Sequence, residues 1–143
     1  MKGQRRKLTA FEQSFIQDRA NRCCGYCKFP LDFSHDAFHV EHIIPLVHGG
    51  TYELDNLAFS CDGCNSYKWT FVDSIDPQTG QKSLLFNPRK DEWFEHFTWT
   101  EDFSIIQGNT SQGRATVNLL KMNRLGLINV RKALRLYGVH PPL

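Results

Sequence analysis

Apolar residues recur along this chain with two different periods, and the changes of period mark its elements. Leu8, Phe11, Phe15, Ile16 and Ala20 fall on one helical face, and Thr9 can cap it, so Leu8 to about Arg22 reads as a helix. Phe38 to Ile44 has strand character and ends at Pro45, which cannot donate to a sheet ladder. Leu46 to Asp55 contains Gly49-Gly50 and reads as a loop, Asn56 to Phe59 as the returning strand, and a helix begins near Asp62. Phe71 to Phe86 suggests a hairpin around Asp76-Pro77-Gln78-Thr79-Gly80. Asn87-Pro88 reads as a helix start leading into Trp93, Phe94 and Phe97, and Trp99 to Ile106 as one or two short strands. Ser111 to Met122 and Arg124 to Tyr137 read as helices, the second closed by Gly138. The pattern is α+β, without internal repeats or low-complexity segments.

The 143 residues suit one domain. No apolar run approaches the roughly 20 residues needed to span a bilayer. Met1 to Lys7 is charged with no apolar stretch behind it, so a soluble cytoplasmic protein with no membrane partner is expected. The net charge of +2 conceals its distribution. Lys2, Arg5, Arg6 and Lys7 make the start basic, and from Arg114 onward there are six basic residues and no acid. Between Phe71 and Phe103 seven acids outweigh three bases. Basic clusters of this kind either bind a polyanion or merely solvate exposed helices, and charge alone does not decide which.

Four of the five cysteines form two pairs, Cys24-Gly25-Tyr26-Cys27 and Cys61-Asp62-Gly63-Cys64, with 33 residues between them. Paired C-x2-C units in a chain with no sign of export point to a closed structural zinc site rather than disulfides. The two-residue spacing favours Cys24 over Cys23 as the partner of Cys27, which leaves Cys23 as a packed residue or a free thiol.

With the second cysteine pair, the strings His39-Val40-Glu41-His42-Ile43-Ile44-Pro45, Leu54-Asp55-Asn56-Leu57 and Asn65 to Lys68 resemble the HNH endonucleases. The resemblance implies a ββα-metal core at about residues 20–70, with an N-terminal helix before it and a C-terminal helical extension over about 71–143, all in one nuclease domain. It implies divalent-metal-dependent hydrolysis of DNA phosphodiester bonds, by cutting or nicking. By position, His42 is the base that deprotonates water, and Glu41 and Asn65 hold a catalytic Mg²⁺ or Mn²⁺. Asn56 holds the loop of the base and orients the histidine through a hydrogen bond. Lys68 contacts phosphate, and Arg114, at a later helix start, is a candidate contact to the DNA backbone. Histidine suits the base because its ordinary pKa lies near neutrality. A carboxylate and an amide oxygen suit Mg²⁺. Neighbours on a strand point to opposite sides, so Glu41 and His42 can share one site only where the strand ends or bends. Glu41 stands where many relatives have Asp, and Asn65 where many have His.

The strings Leu85-Phe86-Asn87-Pro88-Arg89, Trp93 with His96-Phe97, and Gly113-Arg114-Ala115-Thr116 followed by Asn123-Arg124 are similar to ones in small stand-alone bacterial HNH proteins. Trp93, Phe94, Phe97 and Trp99 are expected in a core rather than as a base-stacking surface. His96 is expected to be packed, and His39 to be structural or phosphate-facing. Two other readings remain open: a zinc-stabilised nucleic-acid-binding module with a vestigial active site, and a nuclease acting on RNA. No recognition domain is visible, so cleavage is either weakly specific or made specific by a homodimer or a regulatory protein partner.

Overall fold

A computed structural model describes residues 5–142. Lys2 of the N-terminal basic cluster lies outside them. The chain forms two compact units: one takes the described residues up to Val72 together with Asn87–Lys90, the other Asp73–Phe86 and the residues from Asp91 onward.

In the first unit, helix α1 (Ala10–Arg19) starts at a capping box, with the Thr9 hydroxyl accepting from the Glu12 N–H and the Glu12 carboxylate accepting from the Thr9 N–H. Strands β1 (His39–His42) and β2 (Leu57–Ser60) pair antiparallel, His39 opposite Ser60 and His42 opposite Leu57. Helix α2 (Asp62–Lys68) follows at once. Ile16, Leu57 and Phe59 form the centre of the core, with Leu8, Ala20, Leu31, Phe38 and Val40 against them. Phe11, expected on the buried face of α1, is instead 80% exposed. The strand-loop-strand-helix order expected from the sequence is present.

The loop between β1 and β2 depends on its glycine pair. Gly49 lies in the left-handed region at φ 86°, and a Cβ on Gly50 would stand 1.7 Å from the Ile44 carbonyl oxygen. That approach lets the Gly50 N–H donate to the Pro45 carbonyl at 3.0 Å and folds the loop back on the end of β1.

The second unit holds two hairpins, β3 (Asp73–Ile75) with β4 (Lys82–Leu84) and β5 (Phe97–Trp99) with β6 (Ile106–Gly108). Its helices are the single turn α3 (Trp93–His96), α4 (Ser111–Leu119) and α5 (Leu125–Leu136). No helix begins at Asn87-Pro88. The Asn87 side chain accepts from the Arg89 and Lys90 N–H groups, so it closes a turn instead of capping a helix. Most of the stretch from Trp99 to Ile106 is the connection between β5 and β6. Trp93 and Phe97 are buried and Trp99 is half-buried, but Phe94 is exposed. His96 is packed near Phe86, its Nδ1 2.8 Å from the Thr110 hydroxyl.

No helix among the described residues is long and apolar enough to cross a membrane.

Candidate active site and metal cage

Cys24 and Cys27 leave α1 through a short knuckle, Cys61 caps α2, and Cys64 lies one turn further on. The four Sγ atoms lie within 4.8 Å of one another, and all four side chains are buried. The Cys27 and Cys61 sulfurs are 3.7 Å apart. Four thiolates around a tetrahedral zinc, each at about 2.3 Å, would be separated by roughly 3.8 Å, so the cage has the size and the donor set for that ion. The N–H of Cys27 donates to the Cys24 sulfur, and the N–H of Cys64 to the Cys61 sulfur. Cys23 stands apart, in a bridge with Pro30, and burial pushes its thiol pKa up.

Strand parity sorts the residues of β1. Val40 packs on the Ile16 cluster, while His39 and Glu41 meet α2. His39 Nε2 lies 2.8 Å from Asp62 Oδ1, both groups being partly open to solvent. Glu41 is buried. Its Oε1 accepts from the Tyr26 hydroxyl, and its Oε2 lies 3.1 Å from Lys68 Nζ. Burial pushes the Glu41 pKa up, against the opposing pull of Lys68 and of the hydrogen bond from Tyr26.

His42 ends β1. Its ring meets Tyr52 edge to face at 4.5 Å, and Nε2 is buried with no hydrogen-bond partner among the described residues. Burial, then the nearby charges of Arg5 and Lys68, hold its pKa below the ordinary value, which favours the neutral ring that can accept a proton. Asn56 staples the loop behind it. Its Oδ1 accepts from the Ile44 N–H at 2.8 Å, and its Nδ2 donates to the Ile44 and Thr51 carbonyls at 3.0 and 2.9 Å. These bonds act on the backbone beyond His42 and not on its ring, so any orientation of the imidazole is indirect.

A family model described as HNH endonuclease matches residues 24–70. Over these residues the chain is similar to the HNH endonucleases. The match spans the cage, β1, β2 and α2 of the first unit, and it ends before the flanking strings that also bear a resemblance. The chain matches no curated protein and no solved structure.

Three expectations for the HNH segment and its flank need correction. Lys68 does not face a phosphate: it is 1% exposed, and its ammonium is held by Glu41 and by the carbonyls of His42 and Ile43. Glu41 is not open to a divalent cation, because both its oxygens are engaged and one of them faces that ammonium. Glu41 and Asn65 therefore do not fit as a Mg²⁺ or Mn²⁺ site in this arrangement. Among the described residues the cysteines form the only cluster of three or more His, Cys, Asp or Glu side chains able to hold a metal. Asn65 itself is half-buried on α2, with no side-chain hydrogen bond among the described residues.

Arg114 is the third correction. Its guanidinium forks onto buried Asp76, Nε to Oδ1 and Nη2 to Oδ2, each at 2.9 Å. That pairing, together with the Gln78 N–H and Thr79 hydroxyl on the same carboxylate, holds the Asp76 pKa well below the usual range. The Arg114→Gln variant is expected to lower the melting temperature while leaving the salt dependence of DNA binding unchanged. Unchanged melting with a salt slope smaller by about one unit would restore the backbone contact.

Sequence reasoning also missed Tyr26 and Tyr52. Tyr26 occupies an unspecified position within a C-x2-C string, where periodicity is silent. Only the fold reveals it: the side chain is completely buried, and its hydroxyl donates to Glu41.

Proposed function

We propose that the chain is an endonuclease that hydrolyses DNA phosphodiester bonds, with His42 as the base. The observation that carries this reading is the HNH match over residues 24–70, within which burial and nearby positive charge lower the pKa of the His42 imidazole. His42 takes a proton from the attacking water, and the resulting hydroxide displaces the leaving oxygen at phosphorus. Asn56 fixes the loop that follows the base. The cage of Cys24, Cys27, Cys61 and Cys64 would hold zinc, which supplies a structural cross-link and takes no part in the chemistry. Dependence on Mg²⁺ or Mn²⁺ is carried by the family, and neither Glu41 nor Lys68 is assigned to that ion here.

The engagement of Glu41 by Lys68 favours a second reading, a zinc-stabilised nucleic-acid-binding module with a vestigial active site. Purified protein incubated with supercoiled plasmid and Mg²⁺ or Mn²⁺, beside a chelator control and a single-stranded RNA substrate, separates the readings. Nicked or linear plasmid that is lost with chelator is the expected result. Intact DNA with cleaved RNA would move the substrate to RNA, and retarded but uncut plasmid under both metals would favour the binding module. Whether selectivity comes from a homodimer or a regulatory partner is read by repeating the assay across protein concentrations.

A further inference from the structure

We propose that Tyr26, Glu41 and Lys68 are positioning residues, a buried relay that ties the cysteine knuckle to the backbone of His42. The proposal rests on the reading of His42 as the base. It differs from the role that position 41 has by family resemblance, since here the carboxylate serves a lysine in place of a cation.

The ammonium of Lys68 has three N–H donors. Three acceptors surround it: Glu41 Oε2 at 3.1 Å, the Ile43 carbonyl at 3.0 Å and the His42 carbonyl at 3.3 Å. A buried ammonium is tolerated only when it is paired and its donors are filled, and both conditions hold here. A divalent cation at Glu41 would have to displace the Tyr26 hydroxyl and approach the lysine charge. The same contacts fix two successive carbonyls at the point where β1 ends. Asn56 fixes the next peptide unit from the other side, through the N–H and carbonyl of Ile44. The backbone from His42 to Ile44 is thus pinned by a lysine from α2 and an amide just before β2. The direction in which the imidazole leaves the strand is therefore set before substrate arrives. Tyr26 lies between Cys24 and Cys27, so the geometry of the knuckle reaches Glu41 through a single side chain.

The test compares Tyr26→Phe, Glu41→Gln, Lys68→Met and the double variant Glu41→Gln/Lys68→Met, measuring melting temperature, zinc content and, with Mn²⁺, kcat, KM and the metal concentration giving half-maximal rate. Each single variant is expected to retain zinc and lose kcat by about tenfold, with KM and the Mn²⁺ midpoint unchanged within about twofold. The double variant is expected to melt higher than the sum of the single losses predicts, because it removes the ion pair without orphaning either charge. A Mn²⁺ midpoint raised tenfold or more in Glu41→Gln, with the rate recovered at high metal, would overturn the relay and return Glu41 to the metal. Additive melting losses would overturn it as well. If the wild type cleaves nothing, the nuclease reading fails while the melting cycle still judges the ion pair. If the charge variants do not fold, Tyr26→Phe, which removes one hydroxyl, carries the test: unaltered kcat in that variant rejects the relay.

Discussion

Removing zinc from the cysteine cage is expected to unfold the first unit. The ion would join Cys24 and Cys27, at the exit from α1, to Cys61 and Cys64 at the start of α2, beside a weaker link from the knuckle to α2 through Tyr26, Glu41 and Lys68. β1 and β2 are four-residue strands whose shared core centres on Ile16, Leu57 and Phe59. A core of that size supplies limited stability, whereas a structural zinc site contributes on the order of 10 kcal/mol. Cys64→Ser, or a strong chelator, should abolish stoichiometric zinc and the cooperative melting of this unit, while Cys23→Ser should leave both intact. Because thiolates bind the ion and protons compete for them, zinc release should begin as pH falls. A metal-free protein with unchanged melting would remove the structural role of the cage.

What the sequence disclosed and what it hid divide along a physical line. The cage was legible because two C-x2-C units encode their geometry locally, and the residues within each pair need no knowledge of distant packing. The strand-loop-strand-helix order was legible for a similar reason: Pro45, Gly49-Gly50 and the start at Asp62 punctuate it over short range. The fate of the charges was not legible. Of the basic residues from Arg114 onward, Arg114 is spent on Asp76, Arg131 is buried against the carbonyls of Ser104 and Met122, Arg124 binds those of Leu120 and Lys121, and Arg135 binds that of Glu101. A charge count reads such residues as a polyanion surface, although these four serve as internal donors. Lys68 was misread in the same way. Its position after the last cysteine pair is visible in the string, but its acceptors come from β1 and the residue after it, 25 to 27 residues earlier, and only the fold brings them together.

His42→Ala is expected to lower kcat by about 10²–10⁴-fold, the usual contribution of a positioned general base, while zinc content and melting stay near those of the wild type. The ring is half-buried and its Nε2 makes no hydrogen bond among the described residues, so its loss removes little structure. The pH profile carries the sharper prediction. The imidazole must be neutral to accept a proton, and burial, Arg5 and Lys68 all disfavour its protonated form, placing its pKa below the ordinary 6.5. The wild-type rate should therefore keep its plateau to a lower pH than an unperturbed histidine would allow. It should decline about tenfold per pH unit only below the depressed pKa. Arg5→Ala removes one of the positive charges, so its acid limb should move to higher pH with little change in the plateau. A His42→Ala enzyme that keeps the plateau would place the base elsewhere. A wild-type acid limb starting above 6.5 would mean that the group being titrated sits in surroundings that favour its charged form, contrary to those of His42.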